Sequence, residues 1–208
     1  MEGEKSWTLR PNLAMNENLA YLVGLLKGDG SVIYYTYKKQ YPNIKRGLIS
    51  LTTKDKLIVD FSLRFLKEIG LNPNIHLDKN KCYKISATSK LFVNWYLGLN
   101  LKETFNNSSL KIAFLRGFYE AEGCYYYETG NKFPYVGIVN CNEKLIYYVF
   151  DLIQELEFKP RIYKCKRSKT AYKKGWIYMI HIRRKGEAER FVELIKSSIK
   201  NIPTNKNA

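Results

Sequence analysis

Nine residues constrain this chain more than any others, because they occur twice. The first copy is Leu22-Val23-Gly24-Leu25-Leu26-Lys27-Gly28-Asp29-Gly30. The second, Leu115-Arg116-Gly117-Phe118-Tyr119-Glu120-Ala121-Glu122-Gly123, follows ninety-three positions later. Each copy has a small residue at its third and seventh positions, a carboxylate at the eighth and glycine at the ninth. Glycine costs about 1 kcal/mol in a helix interior, so its presence there needs a reason. Small residues four apart share a helix face and let a second helix backbone come close. The repeat therefore predicts two motif helices packed on each other. If they run parallel, Asp29 lies beside Glu122.

The rest of the chain repeats with the motif. Asn16 or Asn18 can cap a helix from about Glu17 to Gly28. Strands are predicted from Val32 to Tyr37 and from Gly47 to Thr53, around a turn at 38–46 that contains Pro42 and Asn43. An amphipathic helix from Lys54 to Ile69 ends at Gly70. A second hairpin (Asn74–Leu77, Lys81–Thr88) and a helix (Ser89–Leu99) complete the unit. The series restarts with a helix capped by Ser108 or Ser109. Strands Cys124–Glu128 and Tyr135–Asn140, helix Asn142–Glu157, hairpin Arg161–Lys166/Trp176–Arg183 and helix Glu187–Ser198 follow. Two local echoes support the duplication: Thr53–Leu57 with Cys141–Leu145, and Ile69–Ile75 with Leu156–Ile162. The expected fold class is α+β, with two pseudo-symmetric αββαββα halves. The expected organisation is a lead-in at 1–16, a first half at 17–99, a linker at 100–107, a second half at 108–200 and a tail at 201–208.

Charge narrows the function. Thirty-five Lys and Arg against nineteen Asp and Glu give +16, with a pI near 9.6. Such a balance predicts a polyanionic partner, nucleic acid before an anionic membrane. The longest apolar run near the start, Leu19–Leu26, is far short of the roughly 20 residues of a membrane span. No signal-type segment opens the chain, so an intracellular protein is expected. The four cysteines form no Cys-x-x-Cys pair and are expected as free thiols packed as small apolar groups.

The acids suggest chemistry. Asp29 and Glu122 each fall at a helix C-terminus, where unpaired carbonyls already concentrate negative charge. Two carboxylates there repel unless a cation lies between them. A hard divalent ion suits carboxylates, carbonyls and water. Such an ion can activate water and stabilise the leaving oxygen of a phosphodiester. The bland alternative is a helix-packing motif with a stray acid at each end.

The doubled stretch resembles the paired motifs of the LAGLIDADG homing endonucleases, in their monomeric two-motif form, over about residues 17–200. The resemblance implies a double-strand DNA endonuclease, with two curved antiparallel sheets in the major groove. It implies cleavage with Mg²⁺ (Mn²⁺ as substitute) at a long target, leaving short 3′ overhangs. It implies Asp29 and Glu122 as catalytic metal ligands, with Gly28 and Ala121 beside them. Departures from the family pattern are Lys27 at the sixth position, Gly28 at the seventh and Glu122 for aspartate. Thr53, Lys54, Asn140 and Asn142 are the implied pocket candidates. Lys102 and Lys200, with Lys196 as rival, stand for the family's lysine at the end of each half's last helix. Each of these lysines is equally readable as a solvated surface charge.

Alternate strand residues would then read base edges. Ile33, Tyr35, Tyr37 and Lys39 would share a face with Leu48, Ser50 and Thr52. In the second half, without a secure register, the candidates include Tyr126, Glu128, Val136, Ile138, Arg161, Tyr163, Lys164, Tyr178, His181 and Arg183. Lys38, Arg46, Arg167 and the other bases of the hairpin tips would touch phosphates. Unlike halves in one chain predict an asymmetric site. The partners expected are double-stranded DNA and possibly intron RNA, with no membrane. Two rivals keep the scaffold without cleavage: an RNA maturase that assists intron splicing, and a DNA-binding regulator.

Overall fold

The computed structural model describes residues 10–37, 41–126, 134–166 and 175–198. In the first half the order is α1 (Glu17–Gly28), β1 (Gly30–Tyr37), β2 (Tyr41–Thr53), α2 (Lys56–Glu68), β3 (Asn74–Leu77), β4 (Tyr83–Thr88) and α3 (Lys90–Leu97). A single turn, α4 (Leu101–Thr104), lies in the segment expected as linker. The second half is α5 (Ser108–Glu122), β5 (Gly123–Tyr126), β6 (Tyr135–Asn140), α6 (Glu143–Glu155), β7 (Arg161–Lys166), β8 (Trp176–Ile182) and α7 (Glu187–Ile195). Each half has one four-stranded antiparallel sheet, in the orders β1-β2-β4-β3 and β5-β6-β8-β7. The α+β duplication is therefore present strand for strand.

Side-chain caps define most helix starts. Asn16 accepts from the Leu19 amide at 2.8 Å and Ser89 from Phe92 at 3.1 Å. Asn107, not Ser108 or Ser109, caps α5 by accepting from Leu110 at 2.9 Å. Asp55 and Asn142 are the corresponding caps of α2 and α6, accepting from Leu57 and Leu145. This equivalence moves the first sequence echo by one residue: Thr53 matches Asn140, and Lys54 matches Cys141. The second echo holds as read. Gly70 and Glu157 both adopt left-handed backbone after α2 and α6, at φ of 83° and 65°. Each is followed by the same hydrogen bond, Leu71 N–H to Leu66 O at 2.9 Å and Phe158 N–H to Ile153 O at 3.3 Å. Such caps satisfy carbonyls that a helix end leaves open.

The segment read as a turn at 38–46 is strand from Tyr41 onward. Leu48 is the first residue of β2 that pairs with β4, so the earlier part of the strand pairs with β1 alone. Proline lacks an amide donor and is tolerated in a strand paired on one side.

One face of each sheet packs on the helices. Val32, Ile49, Leu51, Ile85 and Ala87 do so in the first half, and Val136, Ile138, Tyr178, Ile180 and Ile182 in the second. The core continues through α1 and α5, whose Leu22, Leu25, Phe114 and Phe118 are fully enclosed. None of the four cysteines forms a disulfide; Cys141 is exposed, against the expectation that it packs. Among the described residues, no helix is long and apolar enough to cross a membrane.

Candidate functional site at the paired helix ends

The two motif helices pack through their small residues. A β-carbon on Gly24 would collide with Phe114 O and lie 2.8 Å from Phe118 N. One on Gly117 would collide with Tyr21 O and lie 3.0 Å from Leu25 N. Tyr21 and Leu25 occupy the same motif positions as Phe114 and Phe118, so the two contacts are images of each other. Gly24 meets residues 114–118 and Gly28 meets Ala121 and Glu122. Contact positions thus rise together along both helices, which makes the pair parallel. Backbone-to-backbone approach at this range forbids any side chain at Gly24 or Gly117.

Parallel packing brings the two C-termini together. A β-carbon on Gly28 would sit 3.0 Å from Glu122 Cγ, so the first motif ends against the second acid. Asp29 follows directly, exposed, with its amide donating to Leu25 O at 3.0 Å. Glu122 is half-buried, and Asn140 Nδ2 donates to its Oε1 at 2.6 Å. The groups these two helix ends offer a cation are the carboxylates of Asp29 and Glu122 and the carbonyls of the last helical turns. All are oxygen donors, at the negative ends of two helix dipoles, and so fit a hard divalent cation. No cluster of three His, Cys, Asp or Glu side chains exists among the described residues. A cation here would fill its remaining positions with water or substrate oxygens.

The pocket candidates behave unequally. Thr53 Oγ1 accepts from the Asp55 amide at 3.1 Å, and Asn140 Oδ1 accepts from the Asn142 amide at 2.7 Å. These are the same interaction in the two halves. Asn140 alone has an amide left over, and it is the one on Glu122. Asn142 spends its side-chain oxygen capping α6, so it is a capping residue. Lys54 is exposed, and its equivalent in the second half is Cys141. Lys102 is not at this end. It lines a cleft with Lys111, Tyr148 and Glu155. Lys111 and Glu122 are eleven residues apart on α5, roughly 16 Å along the axis. The rival Lys196 also lies by the helix N-termini, in a cleft with Glu17, Ser109 and Arg116. Lys200 is outside the described residues.

The sixth motif position carries an arrangement that sequence reasoning missed. Glu120 is 2% exposed. It accepts from Tyr21 Oη at 2.5 Å, the Ser198 amide at 2.8 Å, Ser197 Oγ at 3.3 Å and Arg116 Nε at 3.4 Å. Arg116 also donates to Ser198 Oγ. Burial beside Glu120 pushes the Tyr21 hydroxyl pKa far up, so it stays a donor. The network ties α1, α5 and the chain after α7 together. Its counterpart, Lys27, lies 4.1 Å from the Tyr96 ring centre in α3, and burial lowers its pKa. An acid inside an apolar helical motif was the available signal.

The sheet faces turned away from the helices are open. Cross-strand partners share a face, so register assigns it. In the first sheet, Ile33 pairs with Leu48, Tyr35 with Arg46 and Ser50 with Ser86, and Thr52 pairs with Lys84. All lie opposite the buried set. The side chain of Tyr37 lies outside the described residues. In the second sheet, Tyr126 pairs with Tyr135, and Arg161 with His181. Arg183 follows β8 with its guanidinium 4.5 Å from the Tyr135 ring centre. Four expected face residues are corrected. Ile138 is wholly buried, as are Val136 and Tyr178. Lys164 pairs with Tyr178 on the helix side, with its Nζ 3.6 Å from Glu143 Oε1. A one-residue slip reverses every assignment on a strand, which is why the unanchored second half mixed the two faces. Lys38, Lys39, Glu128, Arg167, Lys169, Lys173 and Lys174 lie outside the described residues.

Comparisons with known proteins agree with this architecture. A family model described as a LAGLIDADG-like domain matches residues 16–99 and again 109–196. An uncharacterized protein of Methanocaldococcus jannaschii, MJ0314, is 34% identical over 181 residues. The match spans 82% of this chain and 65% of that relative, so about a third of the relative has no counterpart here. Among solved structures, mesophilic variants of the homing endonuclease I-DmoI superpose with a TM-score of 0.66 at 22% identity, over 89% of this chain and 98% of theirs. I-DmoI is also known in complex with DNA and Mn. Full-length DUF199/WhiA from Thermatoga maritima matches with a TM-score of 0.62 at 16% identity, over 90% of this chain and 58% of that one. The chain has the fold shared by these structures and, with both halves matched, belongs to the LAGLIDADG-like domain family.

Proposed function

We propose that this chain is a site-specific double-strand DNA endonuclease of the homing type. It acts as a monomer on a long asymmetric target, cuts with Mg²⁺ or Mn²⁺ and leaves short 3′ overhangs. The observation that carries this reading is the parallel glycine-packed helix pair, which sets Gly28, the residue before Asp29, against Glu122 on a chain of net charge +16. Bound there, a divalent cation supplies an activated water and charge neutralisation at the leaving oxygen. Asp29 and Glu122 hold the cation, with the Gly28 and Ala121 carbonyls beside them. Asn140 orients Glu122, and Thr53 and Lys54 flank the first-half side. Ile33, Tyr35, Arg46, Ser50, Thr52, Tyr126 and Arg183 lie on the faces that meet the duplex.

The test is a cleavage selection on a randomised duplex library with Mg²⁺. The wild-type chain returns one asymmetric target. On that target Asp29→Asn and Glu122→Gln each lose at least about a hundredfold in double-strand cleavage while binding stays within a few-fold. Binding without cleavage by the wild type favours a DNA-binding regulator, and selective binding of structured RNA favours a maturase. Wild-type cutting by either mutant overturns the site assignment.

A further inference from the structure

The outer end of the second sheet carries a concentration of positive charge. A cleft of about 380 Å³ lies where β8 ends and β7 begins, lined by Lys159, Arg161, His181, Arg183, Arg184 and the buried ring of Phe158. Arg161 and His181 are a cross-strand pair on the open face. Lys159 precedes β7 and Arg184 follows β8, so the cleft carries the charge of that face past the strand ends. No carboxylate lines it among the described residues; the acids nearest in the chain, Glu157 and Glu187, are not part of it. Lys159, Arg161 and Arg184 are exposed, and none of the three is in an ion pair among the described residues. The backbone beneath them is held: Pro160 is buried, and the Arg184 carbonyl accepts from the Glu187 amide at 2.9 Å.

The first half has no such cluster. Thr53 and Asn140 are equivalent, and they pair with Tyr83 and Tyr178. Counting on along the strands, His181, Arg183 and Arg184 match Ser86, Thr88 and Ser89. Across the outer strands, Lys159 and Arg161 match Asn72 and Asn74. Five neutral positions thus correspond to four permanent cations and a histidine, and Ser89 is committed to capping α3. The reverse exchange is Lys67, at the position of Gln154. Cations gathered without an acid repel one another, a cost that a polyanion offsets. Their place along the strand suggests which part of a duplex does so. Tyr178 pairs with Asn140, the residue on Glu122. Arg183 is five residues further along the chain, about 17 Å of strand, and phosphates of one DNA strand are spaced about 3.4 Å along the helix axis. We propose that this cleft is a backbone anchor, binding phosphates about five nucleotides out from the acids, on the second half-site alone. The proposal rests on the duplex-binding part of the reading above. It turns Arg161 from a reader of base edges into a phosphate contact and adds Lys159 and Arg184 to the interface. Contacts of this kind fix affinity and register and carry no sequence information.

The experiment uses binding, so it does not depend on cleavage. The full chain selects a duplex from a randomised library in Ca²⁺. Affinity for that duplex is then measured against salt for the wild type and for a triple variant, Lys159→Ala with Arg161→Ala and Arg184→Ala. All three side chains are exposed, so the variant should melt with the wild type. Its plot of log affinity against log salt should be shallower by about 0.9 for each cation removed. Neutral methylphosphonates next replace the phosphates at one outer end of the target at a time. At one end they should abolish the difference between wild type and variant, and at the other they should leave it in full. An unchanged salt slope, or a difference that survives at both ends or vanishes at both, overturns the anchor and leaves the endonuclease reading standing. Failure to select any duplex overturns both.

Discussion

The two halves share one topology, and their differences concentrate where function is proposed. At Gly24 and Gly117 they are near-perfect images, because the same backbone-to-backbone contact is made twice. Two residues before each acid the images part. Lys27 rests on an aromatic ring of its own half, whereas Glu120 is buried and takes hydrogen bonds from Tyr21 across the interface. The equivalents of Asn140 and Cys141 are Thr53 and Lys54, so the surroundings of the two acids also differ. The halves thus share the joint, the helix caps and the strand order, and differ in the side chains around the two acids.

Breaking the symmetric part should do the most damage. Gly24→Leu and Gly117→Leu each drive side-chain carbon into the partner backbone, which neither helix can avoid without separating. Both should lose at least the upper end of the 1–3 kcal/mol typical of overpacking, measured by urea unfolding, and both should lose cleavage. A large difference between the two variants would mean that the joint is not symmetric.

The asymmetric network ranks next. Glu120→Ala removes the one buried acceptor that Tyr21, Arg116, Ser197 and Ser198 all donate to. It should cost about 2–3 kcal/mol, below a fully buried pair because Arg116 keeps some water contact. Lys27→Met gives up only a ring contact of roughly 0.5–1 kcal/mol and relieves the desolvation of an ammonium group. Its melting temperature should stay close to wild type. Equal destabilisation by the two changes would remove the distinction between the halves at this position.

The smallest effect sharpens the comparison at the acids themselves. Asn140→Ala leaves Glu122 in place but loses the 2.6 Å contact that orients it. Losing a group that orients a metal ligand costs about 10–100-fold, and the loss should fall on one strand only. Nicking rates measured separately on each labelled strand check it. Equal slowing of both strands would show that Asn140 serves the site as a whole.

Much of this was legible in the sequence because its signals are local and periodic. The nine-residue repeat implied a helix pair, since paired small residues inside a helix have few other uses. The alternation of Gly47–Thr53 placed Leu48, Ser50 and Thr52 on the open face, because Ile49 and Leu51 were recognisably apolar. In the second half that anchor was missing. Val136, Ile138 and Lys164 alternate with neighbours that fit either face, so the local pattern does not say which face is buried. Register there depends on which strand faces α6, and that is a long-range fact.

What the sequence determined by itself was the pair of halves, their element order and the two acids, since each rests on residues close in the chain. What tertiary structure decided was equivalence and distance. Matching helix caps aligned Thr53 with Asn140, one residue away from the best local match. The run of α5 separated Lys102 from the acids by the length of a helix. The meeting of Tyr21, Arg116, Glu120 and Ser198 needed three segments far apart in the chain, and only burial makes that carboxylate demand every one of them.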